Sequence, residues 1–283
     1  MLNTLKTTLL MASMTALLLL VGRALGGTDG MVLAFIVAGV MNLGSWWFSD
    51  TIGLRMYNAQ PVGSESAPAL NAMVAELAAR AGLPMPKVYV VPGPMPNAFA
   101  TGRSPDHAAV AVTEGILEMM PRDELRGVIA HELAHIRNRD TLISAVAAVS
   151  AGAIAMLANW AQWAMIFGGR RDEEREGGAG GLLAIFLAPL VASLIQLAIS
   201  RSREYAADEY AARLIGDGMP LARALQRLEM GVQRVHAAVE PSTAHMFIVS
   251  PLTGGSFMKL FRTHPTTEDR IARLTALTRE GLR

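Results

Sequence analysis

Residues 121–140 read Pro-Arg-Asp-Glu-Leu-Arg-Gly-Val-Ile-Ala-His-Glu-Leu-Ala-His-Ile-Arg-Asn-Arg-Asp. Pro121 suits a first helical position, and Asp123 and Glu124 favour a helix N-terminus. Leu125, Val128, Ile129 and Ile136 then give an apolar face. On this helix His131 and His135, four residues apart, lie one turn apart on one face. Both imidazoles can therefore reach one ion, and Zn²⁺ suits them because it takes imidazole nitrogen readily. Glu132 is rotated around the helix from the histidines. It can hold the attacking water without ligating, as general base and then proton shuttle.

A catalytic zinc needs a third protein ligand and leaves one position open. The candidates are of two kinds: His107, His236, His245 and His264, or the carboxylate Glu204 in Ser202-Arg203-Glu204-Tyr205-Ala206-Ala207-Asp208. Glu204 and Asp208 again share one helical face. Glu204 can ligate while Asp208 orients a ligating histidine through its second ring nitrogen. Ala206, Ala207, Ala211 and Ala212 are small enough for close packing against the His131 helix. A solvated charged face is the competing reading, and spacing does not choose between them.

Beyond these motifs the charge distribution organises the chain. Residues 7–22, 30–49, 141–169 and 177–200 hold no Asp, Glu, Lys or Arg, although the chain of 283 residues has 25 basic and 24 acidic side chains. With 52% hydrophobic residues, this describes a membrane-embedded part joined to a part of ordinary soluble composition. Thr7–Gly22 could be a signal peptide, but cleavage would leave Met31–Phe48 dangling, and two spans in a hairpin are simpler. The turn holds Gly26, Gly27 and Gly30, and Trp46, Trp47 and Phe48 form an interfacial belt. Seven charged residues, Arg170–Glu176, and the glycines after them read as a connector between the third and fourth apolar stretches. The absence of cysteine removes thiol chemistry, and a net charge of +1 gives no footprint for nucleic acid.

The polar parts predict a helix over Ala67–Ala81, strands at Lys87–Val91, Asn97–Thr101 and Ala108–Val112, and helices over Arg201–Gly216, Leu221–Val235 and Glu268–Leu277. The fold class is a mainly α membrane protein with a small β-sheet and two to four transmembrane helices.

Asn97-Ala98-Phe99-Ala100-Thr101-Gly102, the His131–Asp140 segment, Ser200-Arg201 through Asp208, and Thr263-His264-Pro265 before Glu268-Asp269-Arg270-Ile271 together resemble the HtpX-type membrane zinc metalloproteases of bacteria. These belong to the gluzincin group that also holds the CAAX prenyl-protein proteases. The resemblance implies an α+β gluzincin-like catalytic domain, one Zn²⁺ held by His131, His135 and Glu204, Glu132 as base and Asp208 behind the ligands. It implies protein substrates, misfolded or damaged membrane proteins among them. Thr266 departs from the family's frequent second proline. Asn97 and Ala98 belong to a strand whose exposed edge could take a peptide by main-chain pairing. His264 is a candidate stabiliser of the oxyanion.

The resulting organisation is a hairpin over 1–49, a catalytic domain in two parts, 50–140 and 201–283, and apolar segments over 141–200. A silent scaffold and a CAAX-type protease are the alternatives. Glu132 argues against the first, and chain size against the second. Lys6, Arg55, Arg201 and Arg203 place the active site on the cytoplasmic face of a bacterial inner membrane, whereas Arg23, Arg170 and Arg171 argue the other way.

Overall fold

The computed structural model describes residues 2–147, 149–150, 201–234, 247–249 and 265–282. The fourth apolar stretch, most of the third, the connector between them, His236, His245 and His264 lie outside the described residues.

The first helix, α1 (Leu2–Trp47), is broken at Gly26 and Gly27. Gly27 has φ +62°, a left-handed conformation that glycine adopts without strain. The break yields two arms, Leu5–Arg23 and Gly26–Trp47, each apolar and long enough to cross a bilayer. Near the bend the arms touch through backbone: a Cβ on Gly22 would stand 2.5 Å from the Ala34 methyl. Further along, Asn42 Nδ2 donates to Thr15 Oγ1 at 2.8 Å. Small residues and a polar clamp are what hold helices together in lipid, where apolar contact alone discriminates little. Leu9, Leu20, Leu33, Phe35, Val40 and Leu43 point outward.

Helix α2 (Ser49–Met56) follows directly. After β1 (Gln60–Pro61) and α3 (Pro68–Arg80) come β2 (Lys87–Val91), β3 (Ala98–Ser104) and β4 (His107–Thr113). The sheet order is β1-β2-β4-β3. β2 runs parallel to β4, and the other pairs are antiparallel. Along β4, Ala108, Val110 and Val112 join the main core, whereas Ala109 and Ala111 pack with Leu54 of α2. Both faces are covered, so the strand is an unbroken apolar run. β3 is left at an edge.

Thr113 caps α4 (Glu114–Met119) by accepting from Ile116 N–H. Pro121, expected as the first helical residue, instead caps α5 (Arg122–Arg137). Its ψ of 150° is extended, and its carbonyl accepts the first helical hydrogen bond, from Leu125. Leu125, Val128, Ile129, Leu133 and Ile136 are all buried, because α5 is wrapped by the sheet on one side and by α6 (Arg201–Ile215) and α7 (Met219–Arg234) on the other. Gly127 permits this: a Cβ there would lie 2.8 Å from Leu221 N. The two soluble parts of the sequence thus form one body around α5.

The last helix, α8 (Thr267–Arg279), is capped by Thr266, whose hydroxyl accepts from Asp269 N–H. The residue that departs from the family's proline is therefore a helix cap.

Candidate functional site

The α5 face that carries His131 and His135 meets the α6 face that carries Glu204 and Asp208. One ligand atom from each of His131, His135 and Glu204 lies within 4.8 Å of the other two. The two Nε2 atoms are 3.1 Å apart, and each is 3.7 Å from a different Glu204 oxygen. Each ring is set from behind by a carboxylate. His131 Nδ1 is 3.0 Å from Asp208 Oδ1, and His135 Nδ1 is 3.0 Å from Asp140 Oδ2. An ionised carboxylate only accepts, so both Nδ1 atoms carry the proton and both Nε2 lone pairs turn inward. Two ring nitrogens at that separation, next to a carboxylate, call for a cation between them, whether a proton or a metal ion. The donor set fits a metal, and zinc takes such nitrogen and oxygen donors.

Burial works against a charged His131 ring, 1% exposed, but hydrogen bonds to Asp208 and Glu204 prevail and raise its pKa to about 9. The negative charge that draws a proton there draws a metal cation in the same way. Burial would also raise Asp208, yet Arg270 and His131 hold it below the ordinary carboxylate range.

Glu132 is 4% exposed and sits beside the histidines rather than among the three clustered donors. Burial is the main cause of its raised pKa. The nearby histidines and a hydrogen bond from the Ala100 backbone pull the other way.

Ala100 belongs to β3, and its position follows from the pairing. Asn97 O accepts Thr113 N–H, so alternate residues from 97 onward bond to β4. The main-chain groups of Ala98, Ala100 and Gly102 then point off the sheet. Gly102 O accepts from Thr141 Oγ1, and Ala100 meets Glu132. Asn97 and Ala98, read from the sequence as part of an exposed edge, are 3% and 0% exposed. Asn97 Oδ1 accepts from Ile248 N–H at 3.2 Å, so residues 247–249 cover that end of the strand. Half-buried Ala100 is the edge residue beside Glu132.

Three residues of the site had no assigned chemistry in the sequence. Asp140 follows Arg139, whose φ of +57° turns the chain back so that the carboxylate returns to His135. Arg270 of α8 grips Asp208 at 2.6 and 2.8 Å. Arg203, counted above as a marker of membrane topology, is half-buried with Nη1 3.9 Å from Asp140, and desolvation there lowers its pKa. His107 lies in β4 and bonds with Ser104, away from this cluster.

A two-histidine, one-glutamate cluster built on a buried helix, behind two bilayer-length apolar arms, defines a membrane metallopeptidase. Residues 64–278 match peptidase family M48, and the chain belongs to that family. It is 55% identical to the protease HtpX homolog of Aquifex aeolicus over 95% of this chain and 91% of that one. It is likewise 55% identical to the homolog of Pyrococcus furiosus, over 97% and 96%. The fold is similar to the crystal structure of S. mikatae Ste24p, with a TM-score of 0.53 and 21% identity, covering 97% of this chain. The chain spans 64% of that protein's length. Peptide-bond hydrolysis is thus the activity of this chain.

Proposed function

We propose that the chain is a zinc-dependent endopeptidase of the bacterial inner membrane that degrades misfolded or damaged membrane proteins, with one Zn²⁺ held by His131, His135 and Glu204. The observation that carries this reading is the convergence of those three donors within 4.8 Å beside Glu132. The names of the relatives, protease HtpX homologs, support the proteolytic part of this reading.

Bound zinc supplies Lewis acidity toward the scissile carbonyl and the attacking water. The chain's own residues do the rest. Asp208 and Asp140 keep the two rings in the tautomer that presents Nε2. The Glu132 carboxylate takes the proton from the attacking water and delivers it to the departing amine, and its raised pKa suits a group that must both accept and release a proton. The β3 edge at Ala100 pairs with substrate main chain and lays the scissile bond beside Glu132. Asn97 and Ala98 contribute by holding that strand in place. His264 stabilises the oxyanion.

The active site faces the cytoplasm, on the side where the Leu5–Trp47 hairpin starts and ends. The hairpin anchors the catalytic body and by itself makes the chain multi-pass. Metal analysis together with casein degradation by wild type and Glu132→Gln tests the reading. Metal-free wild type, or Glu132→Gln as active as wild type, would refute it.

A further inference from the structure

Arg270 is the bulkiest fully buried side chain among the described residues, 1% exposed, and every arm of its guanidinium is engaged. Nε and Nη2 donate to Asp208 at 2.8 and 2.6 Å, and Nη1 donates to Ile248 O at 2.9 Å. Nη1 also stands 3.8 Å from Glu204 Oε2. Ile248 N–H in turn donates to Asn97 Oδ1, and Asn97 is fixed at the start of β3 because its N–H donates to Thr113 Oγ1 at 2.9 Å. At the other end Asp208 meets His131 at 3.0 Å. An unbroken chain of hydrogen bonds therefore runs from Asn97 through Ile248, Arg270 and Asp208 to His131.

Burying a guanidinium is costly unless its hydrogen bonds are met, and apolar residues of similar volume serve packing as well or better. What Arg270 adds is geometry. A planar fork grips both oxygens of one carboxylate while a third nitrogen reaches a carbonyl, which the point charge of a lysine cannot reproduce.

We infer that Arg270 is a positioning residue that couples the peptide-binding strand to the metal site. It holds Asp208, and so the His131 ring, in register with β3. The inference rests on His131, His135 and Glu204 being the metal ligands. Coupling of this kind is reciprocal: metal binding orders β3, and disturbing the β3 end weakens metal binding.

The test uses the purified full-length chain and three variants, with zinc affinity read by chelator competition and β3 order by amide exchange. Zinc should slow exchange at residues 98–101 in wild type. Arg270→Lys should lower zinc affinity about 10–100-fold, as loss of a ligand-orienting partner does, and should abolish that protection. Asn97→Ala, which removes none of the clustered donors and leaves Asp208 in place, should also lower zinc affinity and raise KM. It carries the test alone if Arg270→Lys does not fold. Unchanged zinc affinity in a folded Arg270→Lys and in Asn97→Ala overturns the inference, as does zinc-independent exchange in wild type. Glu204→Ala separates the two levels. If it keeps zinc, the ligand reading itself fails. If it loses zinc while the other two variants bind normally, only the coupling fails.

Discussion

Asp140 Oδ2 lies 3.0 Å from His135 Nδ1, and residue 140 opens the helix that leads into the third apolar stretch. The orientation of one metal-facing imidazole is thus set at the start of the third apolar stretch. Asp140→Asn should weaken zinc binding about 10–100-fold by loosening that ring, and Asp208→Asn should do the same through His131. Competition with a chelator of known affinity measures both. Wild-type affinity in Asp140→Asn would show that the contact does not orient a ligand.

Glu132→Gln alters no proposed ligand. It should retain zinc at the wild-type level and lose peptide hydrolysis by about 10²–10⁴-fold or more. Casein turnover by a folded, zinc-loaded variant gives the answer.

Glu204→Ala removes one of the three clustered donors. Zinc content and activity should fall together. His264→Ala, in contrast, should keep its zinc and lose turnover. The reverse pattern, metal lost with His264 and kept without Glu204, would reassign the third ligand.

The arms of the N-terminal hairpin return the chain to its starting side. Reporters placed after Gly82 and after Arg283 should both behave as cytoplasmic, and one within Arg170–Gly181 should lie on the far side. Periplasmic signals at the first two positions would invert the proposed orientation.

Asn42 donates to Thr15 across the hairpin. Asn42→Leu should loosen the two arms by about 0.6–2 kcal/mol, the range of interhelical hydrogen bonds in membranes. Gly22→Leu should do more harm, since a side chain there meets Ala34 and the Gly30 backbone. Cross-linking between cysteines introduced on the two arms would report either change.

The pairings of His131 with His135 and of Glu204 with Asp208 were legible because a helix imposes a fixed period, whereas the choice of Glu204 as partner to the histidines came from the family resemblance and not from spacing. The charge-free stretches within the two arms and the three longer strands were legible for the same local reason. Asp140 was not, because its return to His135 depends on the left-handed turn at Arg139, a conformation that the residue type does not advertise. Nor was Arg270, which reads as one more charge on a polar helix until α8 is docked against α6. Residues 60–61 are too short a strand to leave a pattern. The covering of Asn97 by residues 247–249 joins segments 151 apart in sequence, a contact that no periodicity can announce.

Arg103 donates to the Trp47 carbonyl at 3.0 Å, and its guanidinium lies 4.7 Å from the centre of that indole ring. Trp47 is the last residue of the second apolar arm, and Arg103 belongs to β3. The strand that borders Glu132 is therefore moored to the end of the second apolar arm, and its height above a bilayer would follow where that tryptophan settles. A thicker or thinner bilayer, which shifts or tilts the arm, carries the strand with it. The distance from lipid at which a chain can be cut is then a property of the membrane as well as of the enzyme.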